Sequence, residues 1–184
     1  MNSLELLLTR RIYGPDDHPR GWDKFVYDDE HLHYAILQLL CESSRAFRTK
    51  LLQLSSPASG LIFGYKPEGG LFDLLFDVAG SRHYCEVKIW AALSEDQFEN
   101  QTAHLHQANA KGIYVLLTKA AHVWPPALIA QRSGGRSRVA TLGALRSMLS
   151  GLESDLAPEV IEVARAYDKA LESLNTRWPS PEQA

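Results

Sequence analysis

Cysteine is scarce in this chain: only Cys41 and Cys85 occur, far apart and each in an apolar setting, LLCES and HYCEV. Neither has a CxxC partner. That argues against a disulfide framework or a zinc knuckle and leaves both as small buried hydrophobes in a reducing compartment. Long hydrophobic runs are missing too: no stretch reaches the roughly 18 consecutive apolar residues that a membrane-spanning helix needs, so no membrane partner is expected. The opening MNSLELLLTRRIYG carries a short apolar patch, but Glu5 interrupts it and the arginines follow rather than precede it. A secretory signal has the opposite layout, and the expectation is a soluble, cytoplasmic protein. There is no internal repeat, low-complexity tract or long linker, and 184 residues suit a single domain over 1–184.

An excess of positive charge is also lacking. The net charge is -3, which by itself argues against a strong binder of polyanions. What is present is more informative. Hydrophobic residues make up 45% and charged residues 22% of the chain, ordinary globular usage that excludes wholesale disorder. All 22 acidic residues lie at or before Glu99 or at or after Glu153, and between them Lys111, Lys119, Arg132, Arg136, Arg138 and Arg146 stand without a carboxylate. Such segregation either builds a basic surface on an acidic protein or reflects acids that cluster elsewhere.

Turn chemistry around Gly14-Pro15 and Pro19-Arg20-Gly21 marks an irregular lead-in. Asp28 or Asp29 can cap a helix running to about 44, with Leu32, Ala35, Ile36, Leu39 and Leu40 as its apolar face. A second helical stretch or a continuation covers 46–54. Short apolar runs predict strands at 61–65, 71–78, 83–90 and 113–117, with one more at 139–141. Ser94-Glu95-Asp96-Gln97 has the pattern of a capping box, and its helix is expected to run to about Lys111-Gly112. Helices follow over 142–152 and from Pro158 to about 174. The order α-β-β-β-α-β-β-α-α predicts an α/β protein with a mixed central sheet flanked by helices.

The chemistry gathers on the proposed hairpin with Gly80-Ser81 at its tip. Counting outwards pairs Ala79 with Arg82, Phe76 with Cys85, Leu75 with Glu86 and Asp73 with Lys88. Because side chains alternate along a strand, Asp73, Glu86 and Lys88 all project to one side. Burying charges costs several kcal/mol each unless they are paired or bind a metal, so something must compensate for them. A hard Mg²⁺ ion would do so, taking Asp73, Glu86 and the backbone carbonyl of Val87 as oxygen ligands, with Mn²⁺ as a substitute. It would activate water and polarise a phosphoryl oxygen, while the Lys88 ammonium orients the attacking water or offsets phosphate charge. A Glu-x-Lys triplet alone is a common surface salt bridge. Its weight here comes from the acid across the hairpin, the apolar strands around it and the capped helix that follows.

The stretch GLFDLLFD at 70–77, followed by HYCEVKIW at 83–90, resembles the PD-(D/E)XK nuclease superfamily. The resemblance covers about 28–118. It implies a restriction-endonuclease-like α-β-β-β-α-β core with both strand acids on a metal, and TLGALRSML further on is similar to the strand-then-helix tail of some bacterial members. Phe72 stands where the family name has Pro. Asp77 is a competing first acid, near the hairpin tip opposite Tyr84, but Asp73 gives the shorter approach to Glu86.

The resemblance also implies a Gln on the following helix that steers the metal water or the phosphate, a part open to Gln97 or Gln101. Both also suit a solvated face. Phe98, Thr102 and Leu105 are expected to pack on the sheet. It further implies a helix-borne acid as an extra metal ligand, for which Glu30 is the candidate and Glu42 a rival, although a Glu in a first turn also suits the helix dipole. His31 with His33 and His104 with His106 sit two apart, where helical side chains diverge, which argues against zinc. The segment Arg132 to Arg138 reads as a flexible basic loop, able to track a phosphate backbone or simply solvated. Trp90 and Trp124 read as packing residues.

The functional expectation is a Mg²⁺-dependent nuclease acting on DNA rather than RNA, with a homodimer among the possible assemblies. The alternative is a nuclease-like domain without turnover that serves as a nucleic-acid- or protein-binding subunit.

Overall fold

The computed structural model describes residues 30–55, 61–65, 71–78, 80–88, 93–117, 125–152 and 156–177; residues 30–31, 61–65 and 173–177 are described by their backbone alone. Ser44 separates the first two helices, α1 (Glu30–Ser43) and α2 (Arg45–Leu51). Its side chain accepts the Phe47 N–H at 3.0 Å, satisfying one of the unpaired donors at the start of α2. Three strands follow: β1 (Leu61–Tyr65), β2 (Leu74–Val78) and β3 (Ser81–Lys88). Then come α3 (Glu95–Gln107), β4 (Lys111–Leu116), α4 (Pro126–Arg132), β5 (Ser137–Thr141), α5 (Leu142–Ser150) and α6 (Pro158–Arg177).

The five strands form one mixed sheet in the order β1-β2-β3-β4-β5. The β1/β2 and β2/β3 pairs are antiparallel, and β3/β4 and β4/β5 are parallel. This is an α/β architecture. Central β3 is buried along most of its length, since both faces of the sheet are covered. On one face Leu74, Phe76, Cys85, Val87 and Val115 share a core with Ile36 and Leu40 of α1, Leu145 of α5 and Tyr167 and Leu171 of α6. The His33 ring meets the Tyr167 hydroxyl at 2.7 Å, tying α1 to α6 inside it. On the other face Phe72, Tyr84, Tyr114 and Leu116 pack beneath Phe98 and Leu105 of α3 and Ile129 of α4.

Several expectations need correction. The β2/β3 hairpin pairs Val78 with Ser81, Phe76 with His83 and Leu74 with Cys85. The pairing is therefore slipped by two residues from one counted about Gly80-Ser81: the two-residue turn sits one position earlier, at 79–80, with Gly80 in the left-handed conformation at φ 76°. An even slip leaves the side chains of the paired residues on their expected faces, whereas Phe72, ahead of the ladder, packs on the opposite face from Leu74. The helix α3 stops at Gln107 rather than near Gly112, since Asn109 takes a left-handed conformation, φ 49°, that breaks it. Gly112 instead permits close packing: a Cβ there would lie 2.7 Å from Leu105 Cδ1 and 3.1 Å from Ser137 Oγ.

α4 was not anticipated. It begins at a Pro-Pro step and buries only Ile129, so seven residues carry no visible helical period. The segment from Arg132 to Arg138 is not a flexible loop: it closes α4, turns at Ser133–Gly135 and opens β5 at Ser137. Arg132 bridges Glu95 at 2.9 Å and Glu99 at 3.1 Å, while Arg136 donates to His106 Nδ1 at 3.1 Å and Asn109 Oδ1 at 3.2 Å. Two of its three arginines are thus spent on α3. No helix among the described residues is long and apolar enough to cross a membrane.

Candidate functional site

Strand pairing sets the two acids. With Leu74 opposite Cys85, Asp73 stands just ahead of β2 at the end of the ladder, beside Cys85 and Val87 and not opposite Lys88 as expected from the sequence count. Its N–H donates to the Cys85 carbonyl at 3.0 Å, and its carboxylate accepts the Val87 N–H at 2.8 Å. The Lys88 carbonyl accepts the Leu117 N–H at 2.9 Å, so Lys88 turns its main chain toward β4. Backbone groups alternate along a strand, and Val87 therefore turns its N–H and C=O away from β4, toward Asp73. The Asp73 carboxylate, the Val87 carbonyl and the Glu86 side chain are gathered at one place, where β2 begins and β3 ends.

Glu86 is only 4% exposed, yet it is densely solvated by protein. Its Oε1 accepts Gln97 Nε2 at 2.8 Å and faces Lys88 Nζ at 2.7 Å; its Oε2 accepts Gln101 Nε2 at 3.1 Å. Burial, and then the nearby Asp73 charge, push the Glu86 carboxyl up to about 7, against the opposing pull of Lys88 and Gln97. A carboxyl so placed exchanges its proton near neutrality. The Lys88 side chain is 13% exposed, so the ion pair reaches from the interior to the edge of solvent.

The N-terminal half of α3 supplies the two glutamines. Ser94 caps it, accepting the Gln97 N–H at 3.2 Å. The reciprocal arm of a capping box is not what the Gln97 side chain makes, since its amide is turned to Glu86. The sheet-facing stripe is Phe98, Gln101 and Leu105, with Gln101 in the place expected for Thr102. Gln101 is fully buried, and its amide nitrogen also donates to the Leu71 carbonyl.

The other candidates fall elsewhere. Asp77 lies at the hairpin tip, opposite Arg82 rather than Tyr84, and is bridged by it at 3.4 Å. Glu42 is exposed on α1 and accepts from Gln38 at 2.8 Å. Glu30 opens α1, and its side chain lies outside the described residues, as do the side chain of His31 and both Trp90 and Trp124. His33 is in the core, His104 packs edge-on against Tyr84 with centroids 4.9 Å apart, and His106 accepts from Arg136.

Sequence reasoning passed over the aromatic floor of the site. Phe72 stacks on Tyr84 at 5.1 Å, and Phe98 lies 5.8 Å from Tyr114, which is paired beside Glu86 in the sheet. Burial drives the Tyr114 phenol well above its usual range. These rings make the low-dielectric wall that keeps Glu86 from ionising freely. The alternation of Tyr84 with Glu86 and of Tyr114 with Leu116 was the available signal.

Among the described residues, no group of three or more His, Cys, Asp or Glu side chains is placed to hold a metal. The donors at the strand ends are two carboxylates and a backbone carbonyl. That all-oxygen set fits a hard cation such as Mg²⁺ or Mn²⁺, which keeps several waters, and does not fit zinc. A carboxylate offers about four lone-pair positions, and three on Glu86 are taken, leaving one on Oε2. Comparison with protein-family models, with curated proteins and with solved structures finds no match to this chain.

Proposed function

We propose that this protein is a Mg²⁺- or Mn²⁺-dependent phosphodiesterase acting on nucleic acid, DNA ahead of RNA, with a restriction-endonuclease-like fold of the PD-(D/E)XK kind. The observation that carries the reading is Glu86. A buried carboxylate beside a second carboxylate is electrostatically unfavourable, and a divalent cation at their junction would relieve that repulsion. The element order supports the reading: an antiparallel hairpin carries the acids, a helix covers them, and a parallel strand follows.

Asp73, Glu86 and the Val87 carbonyl would hold the cation, which when bound supplies Lewis-acid polarisation of the phosphoryl oxygen and acidifies water. The Val87 N–H holds the Asp73 carboxylate in place. Lys88, at the solvent edge, orients the attacking water or offsets charge on the phosphate as the leaving oxygen departs. Gln97, half-buried and bonded to Glu86 Oε1, stands beside it. The purified protein is expected to nick plasmid DNA or degrade linear DNA with Mg²⁺ or Mn²⁺ and to be silent in EDTA. Robust cleavage in EDTA would refute the metal mechanism.

One observation favours a second reading, a nuclease-like domain that binds nucleic acid or protein without turnover. Three donors already surround the Glu86 carboxylate, so the charge is largely compensated from within the chain. Tight DNA binding with no cleavage of any DNA or RNA form under either metal would select it.

A further inference from the structure

The two glutamines on α3 reach the same carboxylate but differ in every other respect. Gln97 is half-buried and shares Glu86 Oε1 with Lys88 near the solvent edge. Gln101 is 0% exposed, and one amide nitrogen serves two acceptors, Glu86 Oε2 and the Leu71 carbonyl. Leu71 lies two residues ahead of Asp73, in the lead-in to β2, outside the sheet ladder that holds the rest of the strand. The buried Oε1 of Gln101 has no hydrogen-bond partner among the described residues. Leaving a buried amide oxygen unpartnered is costly, which marks the nitrogen's two bonds as the reason for the residue.

We propose that Gln101 is a positioning residue that sets the spacing between the two acids by tying the lead-in carrying Asp73 to the Glu86 carboxylate, and that it touches neither substrate nor the reacting atoms. The inference rests on the proposed metal site. Asp73 is joined to β3 by its N–H, which donates to the Cys85 carbonyl, and by its carboxylate, which accepts the Val87 N–H. Both of these bonds hold it against the β3 backbone. Gln101 adds a link from the lead-in to the Glu86 side chain through a rigid element, since α3 packs on the sheet through Phe98 and Leu105 on either side of it. Groups behind metal ligands act on affinity and turnover, not on recognition of the polymer.

The test compares wild type with Gln101→Leu and Gln101→Asn, measuring Mn²⁺ affinity by calorimetry without nucleic acid, melting temperature, and kcat and KM on linear DNA. Leu keeps the volume and removes both bonds; Asn keeps the amide but is a methylene too short to span both acceptors. Mn²⁺ binding is expected to weaken by at least about tenfold in both variants, with kcat reduced and KM for DNA unchanged. Unchanged Mn²⁺ affinity with a raised KM would make Gln101 a substrate contact and overturn the proposal. If Gln101→Leu does not fold, Gln101→Asn decides alone, wild-type affinity overturning the inference. Wild type that binds Mn²⁺ but cleaves nothing removes the nuclease reading while the affinities still decide the role of Gln101. Wild type that takes up no Mn²⁺ removes both.

Discussion

Lys88 and Glu86 are best considered together, because each sets the state of the other. The ammonium lies 2.7 Å from Glu86 Oε1 and pulls the carboxyl down, while burial and Asp73 pull it up to about 7. Lys88→Ala is expected to abolish cleavage and leave metal binding, since the ligands are oxygens. The lost cation lets the Glu86 carboxyl rise further, so the affinity must be measured near pH 9, where the carboxylate is formed. There it should equal or exceed wild type, like-charge repulsion on the ion being relieved. A folded, metal-binding Lys88→Ala protein with near-normal cleavage would remove the role given to Lys88. In the metal-free protein the raised Glu86 carboxyl also has a stability signature. Its stabilising contribution is full below its ordinary value of 4.5 and is lost as pH rises through about 7. The melting temperature of wild type in EDTA should therefore fall relative to Glu86→Gln between those pH values; parallel profiles would contradict the assigned proton affinity.

At the scale of elements, the site depends on how closely α3 lies on β4. Gly112 opens that approach, with a hypothetical Cβ 2.7 Å from Leu105 Cδ1. Gly112→Ala is expected to cost about 1–3 kcal/mol by overpacking, seen as a melting temperature lowered by several degrees. It should also reduce cleavage, because lifting α3 carries Gln97 and Gln101 away from Glu86. A variant with wild-type stability and activity would show that the α3–β4 contact is not what seats the glutamines. The hairpin makes the complementary point. A pairing counted from Gly80-Ser81 put Asp73 opposite Lys88, whereas the turn set one residue earlier leaves it beside Cys85 and Val87. The shared face of Glu86 and Lys88 was legible, because residues two apart on one strand project to the same side. The placement of Asp73 was not, because turn geometry sets register.

For the whole molecule, the acid pair predicts a linkage between metal and global stability. Any cation held by the folded site and not by the unfolded chain stabilises the fold, by about 2.7 kcal/mol at a hundredfold excess over Kd. Mn²⁺ should raise the melting temperature of wild type and of Asp77→Asn, and leave Asp73→Asn nearly unmoved, because Asp77 is spent on Arg82 at the hairpin tip. The reverse pattern would make Asp77 the ligand. Charge distribution is the property that sequence reasoning handled least well at this scale. The acid-free middle of the chain left a basic surface and acids clustered elsewhere equally open, and in the fold Arg132 is taken by Glu95 and Glu99 and Arg146 by Asp168 and Glu172. Each pairing joins residues more than 20 positions apart, so no local pattern could show it.

By itself, the sequence determined the α/β class, the strand that carries Glu86 and Lys88, and the face those two share. Those follow from hydrophobic alternation, turn residues and the Ser94 cap, all of which act over a few neighbouring residues. Only the tertiary structure decided that Asp73 lies at the end of the ladder beside Cys85, that Val87 fastens its carboxylate, that Gln101 is buried and Gln97 only half so, and that the basic segment folds back onto α3. These depend on one exact turn, on the rotation of a helix about its own axis and on contacts between distant segments. A one-dimensional pattern leaves such quantities open until packing selects among them.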